Sequence, residues 1–189
     1  MKAKLIVITL STMLAMPAAA QSEVYVSDPP HTFAYFEVGH ISLAWQRGRF
    51  NKTDAKIVID RAAKTGSIEA VIDAASVDTG HVKRDEDLRS ERFFDAAKFP
   101  TITFKSNNLH FKGDTLIGAD GELTMMGVTK PVSLEVTFFR CGNHPVNKRV
   151  ICGADARTAI YRSEFGMKRG AAGMNDEVYI YINIEAYKS

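Results

Sequence analysis

Most of what active-site chemistry requires is missing from this sequence. Five histidines stand at positions 31, 40, 81, 110 and 144, but none belongs to an HxH or HExxH pair, so spacing supports no metal centre. GxSxG and SxxK are absent, and no cysteine has an evident histidine partner, which leaves nucleophilic catalysis without a motif. The glycine-bearing stretches contain neither GxGxxG nor GxxxxGK[ST], and CxxCH does not occur. Phosphate cradles, dinucleotide sites and covalent haem therefore drop out.

Charge imbalance is missing too. The opening MKAKLIVITLSTMLAMPAAA joins Lys2 and Lys4 to an apolar run and a small-residue end, the pattern of a cleavable secretory leader over residues 1–20. Without those two lysines the 24 basic residues fall to 22, equal to the 22 acidic ones. Net charge then gives no reason to expect a nucleic acid or an anionic membrane as partner. No later run approaches the roughly 20 apolar residues of a membrane-spanning helix, so residues 21–189 are expected to form one exported domain in the periplasm.

Cysteine is scarce, and its placement is informative. Cys141 and Cys152 flank CGNHPVNKRVIC, where turn chemistry at Gly142, Asn143, Pro145 and Asn147 lies between strand-like flanks. An exported chain keeps such a pair oxidised, and a bridge across this hairpin is worth on the order of 3 kcal/mol.

What the sequence does have is period-two alternation. In 178–187, Val178, Ile180, Ile182, Ile184 and Ala186 share one face and Tyr179, Tyr181, Asn183, Glu185 and Tyr187 the other; 132–139 repeats the pattern with Val132, Leu134, Val136 and Phe138. Shorter runs at 32–40, 55–60, 67–73, 101–106, 109–111 and 121–126 are separated by glycine and turn clusters. About eight short strands predict an all-β antiparallel barrel or sandwich, and an eight-stranded barrel either fills with side chains or holds one small ligand. The inward set is Phe36, Val38, Ile57, Ile59, Ile68, Ile72, Ile102, Phe104, Leu123, Met125, Leu134, Val136, Phe138, Ile160, Ile180 and Ile182. His40 continues the face of Phe36 and Val38, either as a hydrogen-bonded core residue or as a contact for a ligand's polar group.

The exception to alternation is HVKRDEDLRSERFFDAAKFPTITF, residues 81–104. Asp85 with Arg89 and Lys83 with Asp87 stand four apart, the spacing of paired charges on a helix face. Leu88, Phe93, Phe94 and Phe99 supply bulk before Pro100. This predicts one short helix and an aromatic turn lying across a barrel end as a lid, rather than an acid–base site.

The words of the sequence go further than its periods. SDPPHTFAYFEVGH, GRF at 48–50, KRDEDLRSERFFDAAKFPTITFKS, GELTMMGVTKPVSL, and YRSEFGM followed by DEVYIYINIEA occur in the order and spacing of the YceI-like, polyisoprenoid-binding family, which this chain resembles over residues 24–187. Departures are small: His31-Thr32 replaces the usual His-Ser, and Glu164 stands where Asp is common. The resemblance implies a lipocalin-like barrel in the periplasm with no catalytic residue and no catalytic cofactor. Its cavity would hold an isoprenoid amphiphile, a polyprenyl quinone such as ubiquinone or a polyprenyl phosphate. Phe165 of YRSEFGM joins the expected wall, and His40, Arg84, Arg89 and Arg162 are the candidates for a head group at the mouth.

Three alternatives stand beside it: a fatty acid or fatty amide as ligand, an exported stress-response or assembly module with a filled barrel, and an enzyme acting on a lipid head group. Outward Tyr179, Tyr181, Tyr187 and Phe139 would serve the second as a surface or homodimer face. Transient contact with a membrane or a membrane protein fits any carrier of a lipid.

Overall fold

The computed structural model describes residues 22–167 and 173–189; the expected leader, residues 1–20, lies outside them. Eleven strand segments make one antiparallel sheet: β1 Glu23–Ser27, β2 Phe33–His40, β3 Ala44–Phe50, β4 Thr53–Asp60, β5 Thr65–Asp73, β6 Val77–Asp78, β7 Thr101–Lys112, β8 Thr115–Met125, β9 Val128–Asn143, β10 Val150–Tyr161 and β11 Met174–Lys188. Three of the long strands are broken. β1 and β2 lie end to end along one edge of β11, β4 and β3 pair with them respectively, and β5 and β6 pair with β4 and β3. Counted this way the chain is a meander of eight long strands. The pairing of β1 with β11 closes it into a barrel.

The strand breaks have local causes. Pro29 and Pro30 cannot donate to a ladder, so the chain leaves β1 through a 3-10 turn at Pro29–His31 and re-enters the sheet at Phe33. A second 3-10 turn, Ala74–Ser76, separates β5 from β6 and is capped by Asp73, whose carboxylate accepts from the Ala75 amide.

Three bulges reverse the inside-outside parity toward one end of the barrel. β7 gains a residue between Lys105 and Asn108, β8 carries Ile117 as an extra residue opposite the His110–Phe111 step, and β9 carries Thr137 opposite the Asp155–Ala156 step. This is why 101–106 and 109–111, expected as two strands, are one. It also corrects the inward assignment of Phe138, which is 52% exposed, and the outward assignment of Phe139, which faces the interior.

A single helix, α1 (Val82–Arg89), links β6 to β7 over one barrel end. The His81 ring accepts from the Arg84 amide as its N-cap. The expected charge pairs along its face do not form. Asp85 turns inward to accept from the Thr79 amide at 2.8 Å and the Thr79 hydroxyl at 2.6 Å, Arg89 donates to the carbonyls of Ala75 and Val77, and Asp87 pairs with Arg92. These charges anchor the helix to the barrel instead of decorating it.

Candidate ligand-binding cavity

The barrel is not filled. A cavity of about 230 Å³ runs through its interior, and five successive inward residues of β11, Val178, Ile180, Ile182, Ile184 and Ala186, line it. At about 3.4 Å per residue and a strand tilt of roughly 40°, the span from Val178 to Ala186 corresponds to roughly 20 Å along the barrel axis. Small side chains leave this space open: Ala34, Ala55, Ala70, Ala119, Ala154 and Ala156 project into it where a leucine would block it.

One end is sealed. Tyr25, Ile59, Leu109, Leu116, Ala119, Cys152 and Ala186 form a compact buried cluster there. Cys141 and Cys152 are directly opposed on β9 and β10 and bonded to each other, so neither is a free thiol. Beyond them the Glu23 carboxylate accepts from Lys188 Nζ (2.6 Å), the Tyr25 hydroxyl (2.8 Å) and Arg61 Nε (3.0 Å), while Arg61 Nη2 lies 3.1 Å from Cys141 Sγ. The Lys188 hydrogen bond first, then Tyr25 and Arg61, bring the Glu23 carboxyl from its ordinary 4.5 down to about 2. This cluster ties the seam where β1 meets β11.

The opposite end is closed by apolar side chains. Leu88 of α1 and Phe93 and Phe94 of the following turn line the cavity, with Met167 and Met174 across from them. Phe94 packs edge-on against Phe50 at 5.3 Å, and Phe50 against Phe36 at 5.8 Å. The turn is held by Phe94 N donating to Leu88 O and by Asp95 in a left-handed conformation (φ 45°).

Of the residues expected to meet a ligand, Phe36, Val38, Ile59, Ile72, Leu88, Phe93, Phe94, Phe104, Leu123, Met125, Leu134, Val136, Ile160, Ile180 and Arg162 lie on the cavity wall. Others do not. Phe99 packs beside the left-handed Gly127 of the β8–β9 turn, under the Lys98 ammonium at 5.1 Å, outside the cavity. Phe165 is buried in the core but behind the wall, and Phe138 is turned out by its bulge. His40 and Arg84 are exposed, and Arg89 is engaged with backbone carbonyls, so none of the three faces the interior.

Polar groups on the wall are few. Arg162 is its one charged side chain among the described residues, and Nε and Nη1 already donate to the carbonyls of Asn175 (2.9 Å) and Met167 (3.0 Å). The Thr32 hydroxyl donates to Glu185 O. The Thr53 hydroxyl is buried without a partner, the one such side-chain atom among the described residues. Sequence reasoning missed Thr32, Thr53 and Thr158, along with Tyr25, Phe50, Met167 and the alanines, because none stands out in a hydrophobic pattern; the Thr137 bulge hides Phe139 from it, and Cys152 stands out only as a disulfide partner. On the outer surface Asp28, His31 and Glu185 converge, with His31 Nδ1 2.7 Å from Asp28 Oδ2; the Asp28 contact, aided by Glu185, raises the His31 pKa. Its position beside Thr32 makes this trio a clasp across the β1–β2 break.

Comparison with known proteins agrees with this architecture. The family model of the YceI-like domain matches residues 25–186. Protein YceI of Salmonella newport is 34% identical over 189 residues, covering 98% of this chain and 97% of its own. Among solved structures, BcnA of Burkholderia cenocepacia has a TM-score of 0.68 at 25% identity, over 81% of this chain and 95% of that one. A polyisoprenoid binding domain from Saccharophagus degradans, implicated in plant cell wall breakdown, shares the fold with a TM-score of 0.66 at 17% identity, over 87% and 98% of the two chains.

Proposed function

This chain belongs to the YceI-like domain family, and from that premise we propose that its barrel holds the tail of an isoprenoid amphiphile, a polyprenyl quinone such as ubiquinone or a polyprenyl phosphate. In this reading the protein is exported to the periplasm, where it carries or sequesters that lipid without transforming it. The observation that carries the reading is the continuous apolar cavity. An engineered void of about 150 Å³ lined by Leu, Ile and Phe stays dry and takes up apolar molecules, so a larger one with the same lining favours hydrocarbon over water. Each CH₂ placed there contributes about 0.8 kcal/mol before binding costs, enough for micromolar affinity from ten to fifteen carbons without any chemical motif.

Length sets the size of the ligand: a tube of roughly 20 Å takes one extended tail, prenyl or fatty acyl. The fold shared with a polyisoprenoid binding domain supports the prenyl choice. Arg162 at the helix end and the hydroxyl-bearing Thr53 and Thr158 are the polar side chains on the wall nearest to serving the ligand's oxygen atoms. The unfilled interior weighs against an assembly module with a packed barrel.

The test is direct. Protein exported in its own host, purified gently and extracted into organic solvent, should yield about one prenyl lipid per chain by mass spectrometry. Fatty acids alone, or no lipid at all combined with no thermal stabilisation by added geranylgeraniol, would sink the proposal.

A further inference from the structure

The outer surface behind the cavity wall carries a group of side chains that the barrel's apolar chemistry does not use. Asp28, His31 and Glu185 place an imidazole nitrogen and two carboxylate oxygens within 4.8 Å of one another. His31 Nδ1 stands 2.7 Å from Asp28 Oδ2 and 4.0 Å from Glu185 Oε2. A zinc ion bound at about 2.0–2.2 Å by each ligand holds neighbouring ligand atoms about 3.0–3.4 Å apart, and the two separations straddle that range. His31 is exposed and the two acids are half-buried, so side-chain rotation can close the difference, and one side of the group stays open to water as a further ligand.

The backbone holds the three residues in place. Pro29 and Pro30 fix the 3-10 turn between Asp28 and His31, with His31 N donating to Asp28 O at 3.0 Å. Glu185 comes from β11, and its carbonyl accepts from the Asp28 amide at 2.7 Å and from the Thr32 hydroxyl at 3.3 Å. Asp28 stands at the N-cap of the turn, yet its carboxylate caps nothing and is aimed at His31. Across the ladder from Glu185 on β10 is Gly153, which has no side chain to meet the carboxylate. Among the described residues neither acid lies within ion-pair distance of a lysine or arginine. Other outer carboxylates of the barrel do: Glu135 pairs with Arg157, and Glu23 with Lys188 and Arg61. Two carboxylates brought together around one imidazole repel each other and lack a compensating positive charge.

We propose that Asp28, His31 and Glu185 bind one divalent transition-metal ion of the Zn²⁺ class. A nitrogen ligand beside two carboxylates selects such an ion over Ca²⁺ and Mg²⁺, which are held by oxygen alone. The ion supplies the missing positive charge and ties the end of β1 to β11 across the β1–β2 break. Thr32 on the inner side of the same turn lines the cavity, as do Ile184 and Ala186 on either side of Glu185, so the ion stiffens the wall from outside. The site does not depend on what the cavity holds. In the sequence Asp28 and His31 are only a DxxH pair, and Glu185 joins them through the closure of the barrel, which spacing does not reveal.

The test titrates Zn²⁺ into untagged, metal-free protein by calorimetry, with Mg²⁺ and Ca²⁺ in parallel. The expected result is a single Zn²⁺ per chain at micromolar affinity, no comparable response to Mg²⁺ or Ca²⁺, and a rise in Tm of about 5 °C at roughly a hundredfold excess over Kd. His31→Ala should weaken Zn²⁺ binding about 100-fold or more, since even a group that only orients a ligand is worth roughly 10–100-fold, and Glu185→Gln should weaken it at least about tenfold. His110, which meets Asp120 at 2.8 Å elsewhere on the outer surface, supplies the control, and His110→Gln should leave affinity unchanged. Circular dichroism reports the folding of each variant. In imidazole nitrogen NMR, His31 Nδ1 should be the resonance that moves when Zn²⁺ is added. Absence of Zn²⁺ binding by the folded protein overturns the proposal, as does binding that survives His31→Ala or disappears with His110→Gln. Binding lost with His31→Ala but fully retained in Glu185→Gln reduces the site to a surface Asp–His pair and also overturns it.

Discussion

At one end of the barrel a covalent bridge, a carboxylate bound by three donors and a cluster of tightly buried residues close the cavity; at the other, two phenylalanines and a leucine do so from a helix and a turn. The first set ties neighbouring strands to one another, and opening it means unravelling the sheet. The second hangs on a connection between β6 and β7 that carries none of the sheet's ladder, so it can move while the sheet stays intact. Local opening draws on regions with few sheet contacts. The sealed end is therefore the place where stability is set, and the helix end the place where access is set.

The largest expected effect breaks that division at the helix end. Phe93 is buried against the cavity, and Phe93→Ala should cost about 4 kcal/mol of unfolding free energy by urea titration. If the helix end governs access, this variant also releases N-phenylnaphthylamine several-fold faster in stopped flow. A release rate that stays at the wild-type value would show that ligands pass elsewhere. At the sealed end, replacing both Cys141 and Cys152 by Ala should cost about 3 kcal/mol while probe release is unchanged, separating the two ends by experiment.

Much of this comparison could be read from the sequence, and the unread parts have identifiable causes. Alternation in 178–187 put Ile180 and Ile182 inward, and both lie on the wall with Val178, Ile184 and Ala186; the 81–104 block led to a helix over one barrel end, with Phe93 and Phe94 but not Phe99 against the cavity. Parity failed where bulges intervene. Thr137 exchanges Phe138 for Phe139, and the extra residue between Lys105 and Asn108 makes β7 look like two strands. The expected total of eight strands held because that split offset β10, which has no alternating run of its own, while β1, β3 and β6 continue strands already counted. Alanines were invisible for another reason: Ala34, Ala119 and Ala156 matter as space, and a hydrophobic pattern registers bulk. The head-group candidates were chosen by charge, and charge near a mouth does not say which way a side chain turns.

Acid should weaken the sealed end. Glu23 has its folded pKa lowered from 4.5 to about 2, so its contribution is complete above pH 4.5 and is lost as the pH falls from 4.5 toward 2. With allowance for its partial exposure to solvent, the loss is about 2 kcal/mol. Unfolding free energy measured across that window should drop for the wild-type chain, and Glu23→Gln should be less stable at neutral pH but flatter in acid. Equal slopes for the two proteins would remove Glu23 from the account of how the β1–β11 seam is held.

The smallest effect lies between the ends. Thr53 has its hydroxyl buried on the cavity wall with no partner, and burying an unpaired hydroxyl is unfavourable, so Thr53→Val should leave stability unchanged or raise it by about 1 kcal/mol. A wall that only accommodates hydrocarbon would bind every ligand as well or better after this change. A wall that also recognises an oxygen atom would bind a prenyl quinone several-fold more weakly, while its affinity for a hydrocarbon probe stays constant. That split is the expected result, because a hydroxyl retained without a partner in an otherwise apolar tube is most simply explained by a partner that arrives with the ligand. Loss of affinity for both ligands would instead mean that Thr53 shapes the wall, leaving Arg162 at the helix end and Thr158 as the remaining polar contacts.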